Sequence, residues 1–419
     1  KDYVQLKEAI LNLLDHPDLL QSVRKKAFDY GKKLNWPRIG KAYLDLFQKN
    51  YKNLPATFVA SKEIDLTIMP QFSLSHIYRL TDDVGVVQYA KYGIPNLKHG
   101  YNLSDNSRAV LMSTMVYQQF KDKALLDLVA RYLSYIHYMQ NVDGTFHNAL
   151  SFDRMFKDEL GTEDAFSRTM WALGYLINNK PNAAYKQMAK GIFERSVDQF
   201  VHLRSLRGIA ATIIGITYFL KEYPEREDLF QILKQLTQKM IIAYETHATD
   251  KWTWFEDVMT YDNGILPLAM LLSYEMVENE KVLNIAQKSQ EFLVHITLDG
   301  EHFAPVGNRG WYPKDSQKAM YDQGSGEAMC MIRLFYHNFR MFKTRKYLSL
   351  LFTCYRWYLG VNLFHIPLYD HETGGCYDGL VYKGVNKNEG AESTLAYLIS
   401  HVSVLQAHEL LHIVFKIQE

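Results

Sequence analysis

The chain has 419 residues, 47% of them hydrophobic and 22% charged, with a formal net charge of +1 at pH 7. That apolar share excludes a disordered chain and supplies a large core. The near-zero charge argues against nucleic acid or an anionic membrane as the main partner. The longest apolar runs, such as 209–220, carry polar residues and fall short of the ~20 that a membrane span needs.

In chain order, residues 1–52 read as a helical extension, with amphipathic helices over 3–14, 17–34 and 37–50. Residues 53–73 read as a linker, and 74–419 as the main body. In the body, apolar residues recur at i, i+3, i+4 and i+7 over 125–139, 182–201, 229–244, 282–294 and 391–411, which is the helical period. Strand-like segments are confined to 57–69 and 376–382. Polar clusters precede apolar helices at six places: 104–108, 163–168, 204–207, 256–263, 322–327 and 389–392. Their starts lie 41 to 67 residues apart, room for two helices and two loops each. Between them run helices with a charged outer face, such as 123–140. Apolar helices alternating with amphipathic ones predict a ring of six hairpins, an all-α (α/α)6 toroid with the clusters gathered at one end. The alternative is an open helical solenoid whose Asp and Glu residues only cap helix starts.

The clusters carry the chemistry. In GYNLSDNSRA, Asp105 and Asn106 suit a helix cap, and Arg108 one turn later suggests an Asp–Arg pair at a cleft floor. Glu163 and Asp164 are adjacent acids at a helix start, with Arg168 four residues on. Near apolar walls such an acid has its pKa raised and becomes a proton donor. In KWTWFEDVMTYDNG, Trp252 and Trp254 precede Glu256, Asp257, Tyr261 and Asp262. Rings that stack on a sugar face beside acids that hold hydroxyls or move protons are what a glycoside site needs. Trp311 and Tyr312 stand on a loop ahead of Asp322, Gln323 and Glu327. The last block combines a Gly-rich turn with Asp378, Asn386, Asn388, Glu389 and Glu392, and amide side chains both donate to and accept from hydroxyls.

Two resemblances follow from these residues. The segment LLDHPDLLQSVRKKAFDYGKKLNWPRIGKAYLDLF resembles the C-terminal tail of GT-B-fold, group 1 glycosyltransferases. This implies a fused or adjacent glycosyltransferase as partner. The combination GWY…DQ…E with GG-x-x-DG and N-x-N-x-GAEST, within 100–398, resembles bacterial carbohydrate-active domains of the six-hairpin glycosidase type. Members of that group are often fused to, or encoded beside, group 1 glycosyltransferases. The resemblance implies the toroid fold and an oligosaccharide or glycoside substrate.

The leading expectation is therefore glycoside hydrolysis by two carboxylates, one from Glu163 or Asp164 and the other from Asp257 or Asp322. The remaining residues named, from Asp105 to Glu392, are expected to bind substrate. A non-hydrolytic glycan-binding module serving a glycosyltransferase is the second reading. The third is a sugar epimerase using His302, His365 or His371. No metal or cofactor is expected, because compact ligand spacing and phosphate-loop motifs are both missing from the sequence. The three cysteines, Cys330, Cys354 and Cys376, lack CxxC or Cys/His metal spacing. They are expected as free thiols in a reducing, cytoplasmic compartment. With neither an initiator Met nor a signal-peptide core in KDYVQLKEAI, the chain is expected to be part of a longer protein.

Overall fold

A computed structural model describes residues 2–31, 43, 46, 64–299 and 302–416. The chain divides into two compact units, 1–62 and 63–419. The first contains α1 (Tyr3–Asp15), capped by Asp2, whose side chain accepts from the Val4 N–H, and α2 (Pro17–Gly31). Pro17 stands at the first helical position, where a missing N–H costs nothing. The two helices pack on each other, and none of their residues is buried. The helix expected over 37–50 lies outside the described residues except at Tyr43 and Leu46, as does 53–63 of the expected linker.

The second unit is an all-α (α/α)6 toroid. Among its described residues six helices form an inner ring: α4 (Leu103–Phe120), α6 (Glu163–Asn179), α8 (Leu206–Glu222), α10 (Ile265–Val277), α12 (Ser325–Phe342) and α14 (Ala391–Lys416). Each packs on the next, and α14 closes on α4. Their sequences are apolar nearly all round, as ILPLAMLLSYEMV in α10 shows, because both faces meet protein. The outer helices are amphipathic: α5 (Leu125–Met139), α7 (Ala183–Arg195), α9 (Glu227–His247), α11 (Glu280–Thr297) and α13 (Lys346–Arg356). The short α3 (Ser75–Leu80) packs on α14, at the sixth outer position. Among the described residues no helix is long and apolar enough to cross a membrane.

Local chemistry sets the helix ends. Asn102, Thr162 and Ser205 cap α4, α6 and α8 through their side-chain oxygens. The helix expected over 182–201 breaks at Ser196, whose hydroxyl donates to the Gly144 carbonyl 2.7 Å away, and the chain continues as a 3-10 turn over Val197–His202. In place of the strand expected over 57–69, the described part holds a 3-10 turn, Leu66–Ile68, capped by Asp65. The strand expected over 376–382 is present over Gly379–Val381 and pairs with Gly384–Asn386 and Gln323–Gly324. All six polar clusters lie at or just before the N-termini of the inner helices, so that end of the barrel is where they converge.

Candidate functional site

A cavity of about 350 Å³ opens at this end. Asp105 of α4, Asp262 before α10, Asp322 before α12, Glu327 of α12, Asp378, and Glu392 of α14 bring carboxyl groups to it. Tyr89, Tyr261 and Trp311 supply aromatic surface. Gln88, Asn308, Ser325 and Ser393 add neutral hydrogen-bonding groups.

Arginines behind the wall organise the acids. Arg108, 7% exposed, reaches Asp105 at 3.2 Å and Glu392 at 2.8 Å. Arg168 holds Asp164 through two nitrogens, at 2.8 and 3.1 Å, and also pairs with Asp262. Arg207 grips both oxygens of Glu256, at 3.0 and 2.8 Å, and stacks its guanidinium on the Tyr261 ring. Glu327 accepts from the Asp262 N–H, the Asn263 N–H and the Asn263 amide, and so fixes the turn that leads into α10.

Burial and charge separate the acids into two sets. Burial pushes Asp105 up to about 7, against the pull of Arg108. Burial, aided by the neighbouring Asp262, pushes Glu327 to about 8. Burial acts on Asp262 in the same direction, but Arg168, Arg108 and Arg207 outweigh it and hold its carboxyl below the usual range. Asp378 is raised by burial, although the Gly390 N–H and Ser393 hydroxyl both donate to it at 2.9 Å. Near neutral pH the cavity therefore holds protonated and ionised carboxyls side by side, the condition for acid–base work by two groups of one type. Asp322 accepts from Arg309 at 3.1 Å through one oxygen, while its other oxygen is buried with no hydrogen-bond partner.

Of the four described acids expected to do chemistry, Asp322 alone lines the cavity. Glu163 turns away and accepts from the Arg204 and Ser205 N–H groups at 3.0 and 2.7 Å, which holds the start of α8. Asp164 is engaged by Arg168, one guanidinium removed from the cavity. Asp257 is 64% exposed and faces His247 and Lys314. Among the expected binding residues, Asp105, Asp262, Trp311, Glu327, Asp378 and Glu392 line the cavity. Arg108, Arg168 and Glu256 stand behind it.

The others stitch loops to helices. The Asn106 side chain accepts from the Val86 N–H at 2.9 Å, Gln323 accepts from the Trp357 indole at 3.2 Å, and Asn388 accepts from the Tyr92 N–H at 3.0 Å. Asn386 accepts from the Asn388 N–H, and Glu389 accepts from the Thr373 hydroxyl at 2.7 Å. Trp254 corrects the aromatic expectation: it is fully buried, its ring against Phe255 and Phe292, and with Trp252 it belongs to the core. Tyr312 packs its ring against Trp252, outside the cavity lining. No histidine lines the cavity among the described residues; His302 and His365 face each other at 6.1 Å elsewhere.

Gln88 and Tyr89 escaped the sequence reading, since VGVVQYAKYG has no polar run. They reach the site because the Gln88 carbonyl accepts from the Ala391 N–H at the start of α14. Asn308 lies three residues before Trp311 in the same loop, which was the available signal.

No protein-family model and no curated protein matches this sequence. Solved structures share the fold. A sugar epimerase from a ruminal bacterium superposes with TM-score 0.62 at 14% identity, covering 80% of this chain and 95% of that one. A cellobiose 2-epimerase from Bacillus thermoamylovorans gives 0.64 at 10% identity, covering 81% and 96%. An inactive variant of an α-1,6-mannanase from Salegentibacter sp., with two adjacent aspartates replaced and in complex with α-1,6-mannotetrose, gives 0.54 at 14% identity, covering 80% and 96%.

Proposed function

We propose that the cavity receives the end of an oligosaccharide or glycoside and that its carboxyls hydrolyse a glycosidic bond, with Asp105 as proton donor and Asp322 as the opposing carboxylate. The observation that carries this reading is the meeting of these two acids with Trp311 in one cavity, from blocks more than 200 residues apart. Burial raises the Asp105 carboxyl to about 7, so that a substantial share stays protonated near neutral pH and can donate to a leaving oxygen. Trp311 and Tyr261 offer flat apolar faces for a sugar ring. The solved structures of like fold include sugar epimerases and a mannanase holding a mannotetrose, which supports a carbohydrate ligand. In this reading Asp164, Asp262 and Glu256, each paired with arginine, keep the wall in shape, and Glu163 and Asp257 serve the loops.

The test uses aryl-glycosides, α-mannosides among them, with the product anomer read by NMR. Asp105→Asn and Asp322→Asn are each expected to lower kcat by about a thousandfold or more while KM changes only a few-fold. A variant with full activity removes its residue from the mechanism.

A second reading, glycan binding without turnover, is favoured by the arginine pairing of so many acids. Sugar affinity in a wild-type chain that turns over none of the glycosides would select it. Among the described residues no histidine lines the cavity for epimerisation to use, and solvent deuterium entering C2 of a reducing sugar would reveal that reaction. The glycosyltransferase-like segment at 13–47 supports a fused or adjacent glycosyltransferase, with 1–52 as its tail, 53–73 as linker and 74–419 as the sugar-active body. The buried free thiols of Cys330, Cys354 and Cys376 support a reducing, cytoplasmic setting.

A further inference from the structure

Away from the cavity, towards the opposite end of the barrel, the middle and C-terminal parts of the inner helices hold a second polar cluster. Arg333, Tyr336, His337 and Arg340 come from α12, Tyr218 and Lys221 from α8, Tyr175 from α6 and Glu275 from α10. Lys221 and Arg340 share the Glu275 carboxylate. Arg333 is 1% exposed, and among the described residues no carboxylate lies within ion-pair distance of it. Its neighbours are neutral: the Ser403 hydroxyl at 3.2 Å, the Tyr218 hydroxyl at 3.4 Å, the His337 Nε2 at 3.1 Å and the Tyr336 ring at 5.2 Å.

A buried cation without a counter-charge carries a desolvation cost that neutral hydrogen bonds offset only in part. The partial negative charge at helix C-termini helps Lys221 and Arg340, which lie in or near last turns. It fades within one turn and does not reach Arg333, the ninth of the 18 residues of α12. Two further atoms show what is missing. The Nε of Arg333 is buried with no hydrogen-bond partner, and so is the Nδ1 of His337. Burial, followed by Arg333, Arg340 and Lys221, holds His337 neutral. Because its Nε2 accepts from Arg333, the ring proton resides on Nδ1. The cluster thus has two orphan donors and more positive than negative charge, and among the described residues no acceptor-only, negatively charged group stands beside Arg333 itself, since the Glu275 carboxylate is taken by Lys221 and Arg340.

We propose that a small monovalent inorganic anion of the chloride class binds in the barrel interior against Arg333, as a structural ligand separate from the sugar cavity. Monovalence follows from the surroundings: a divalent anion pays a far larger desolvation cost among phenol rings and apolar walls.

The experiment has two arms on the 419-residue chain. In the first, thermal unfolding is followed in sodium chloride or bromide against sodium gluconate at equal ionic strength. The midpoint is expected to rise saturably by about 3 °C with halide. Arg333→Met is expected to abolish the halide response. In the second, crystals soaked in bromide are expected to show an anomalous peak within hydrogen-bond distance of the Arg333 guanidinium. Equal midpoints in all the salts, or bromide density found only elsewhere with water against Arg333, overturns the proposal. Both wild-type measurements decide it even where Arg333→Met fails to fold.

Discussion

Asp105 is 4% exposed, and its ionised form is penalised in the folded chain. Its carboxyl titrates near 3.8 when solvated and about 7 in place. The unfolded chain therefore releases this proton first as pH rises. The stability contributed by the neutral carboxyl is complete below the unfolded value, declines through the interval, and is gone above about 7. Urea midpoints of the wild-type chain should accordingly fall between pH 4 and 7 more steeply than those of Asp105→Asn. Equal slopes would mean that Arg108 keeps the carboxyl ionised. Glu163 illustrates the opposite use of an acid, since its carboxylate accepts two N–H groups at the start of α8. Glu163→Ala should cost roughly 2 kcal/mol of stability, read by chemical denaturation. Loss of turnover without loss of stability would return Glu163 to the catalytic list. At this scale the sequence was a partial guide. It placed Glu163 and Asp164 together at a helix start, but adjacent helical residues point about 100° apart, so one faces α8 and the other Arg168.

At the scale of elements, α6 and α8 pack closely because two glycines meet where they touch. A Cβ on Gly174 would come within 2.2 Å of the Gly215 carbonyl oxygen, and one on Gly215 within 2.5 Å of the Met170 carbonyl oxygen. Backbone cannot yield as a side-chain tip can, so Gly174→Ala should destabilise by about 3 kcal/mol, measured by denaturant unfolding. A neutral result would mean that the two helices separate at little cost. The helices were legible because period and capping are local properties: the segment expected over 125–139 is α5 with the same bounds. The break of the 182–201 segment at Ser196 was not, since it depends on a hydroxyl meeting Gly144, some fifty residues earlier.

At the scale of the whole molecule, the ring is closed by its two ends, with α14 against α4 and the short α3 against α14. An open solenoid tolerates loss of a terminal repeat because contacts run only to the neighbour. In a closed ring such a loss exposes two inner faces at once. Deleting 391–416 should therefore abolish cooperative unfolding altogether, and a truncated chain that still melts sharply would contradict ring closure. The sequence by itself determined the helical class, the number of hairpins and the end of the barrel where polar residues gather, because composition, period and spacing repeat along the chain. Tertiary structure alone decided which acids share a cavity. Asp105, Asp262, Asp322 and Glu392 reach one space only when four distant helix starts are brought round the ring, and Trp254 enters the core because α11 supplies Phe292 for it to pack on. A side chain's burial, and with it the proton it keeps or loses, depends on neighbours that sequence proximity does not specify.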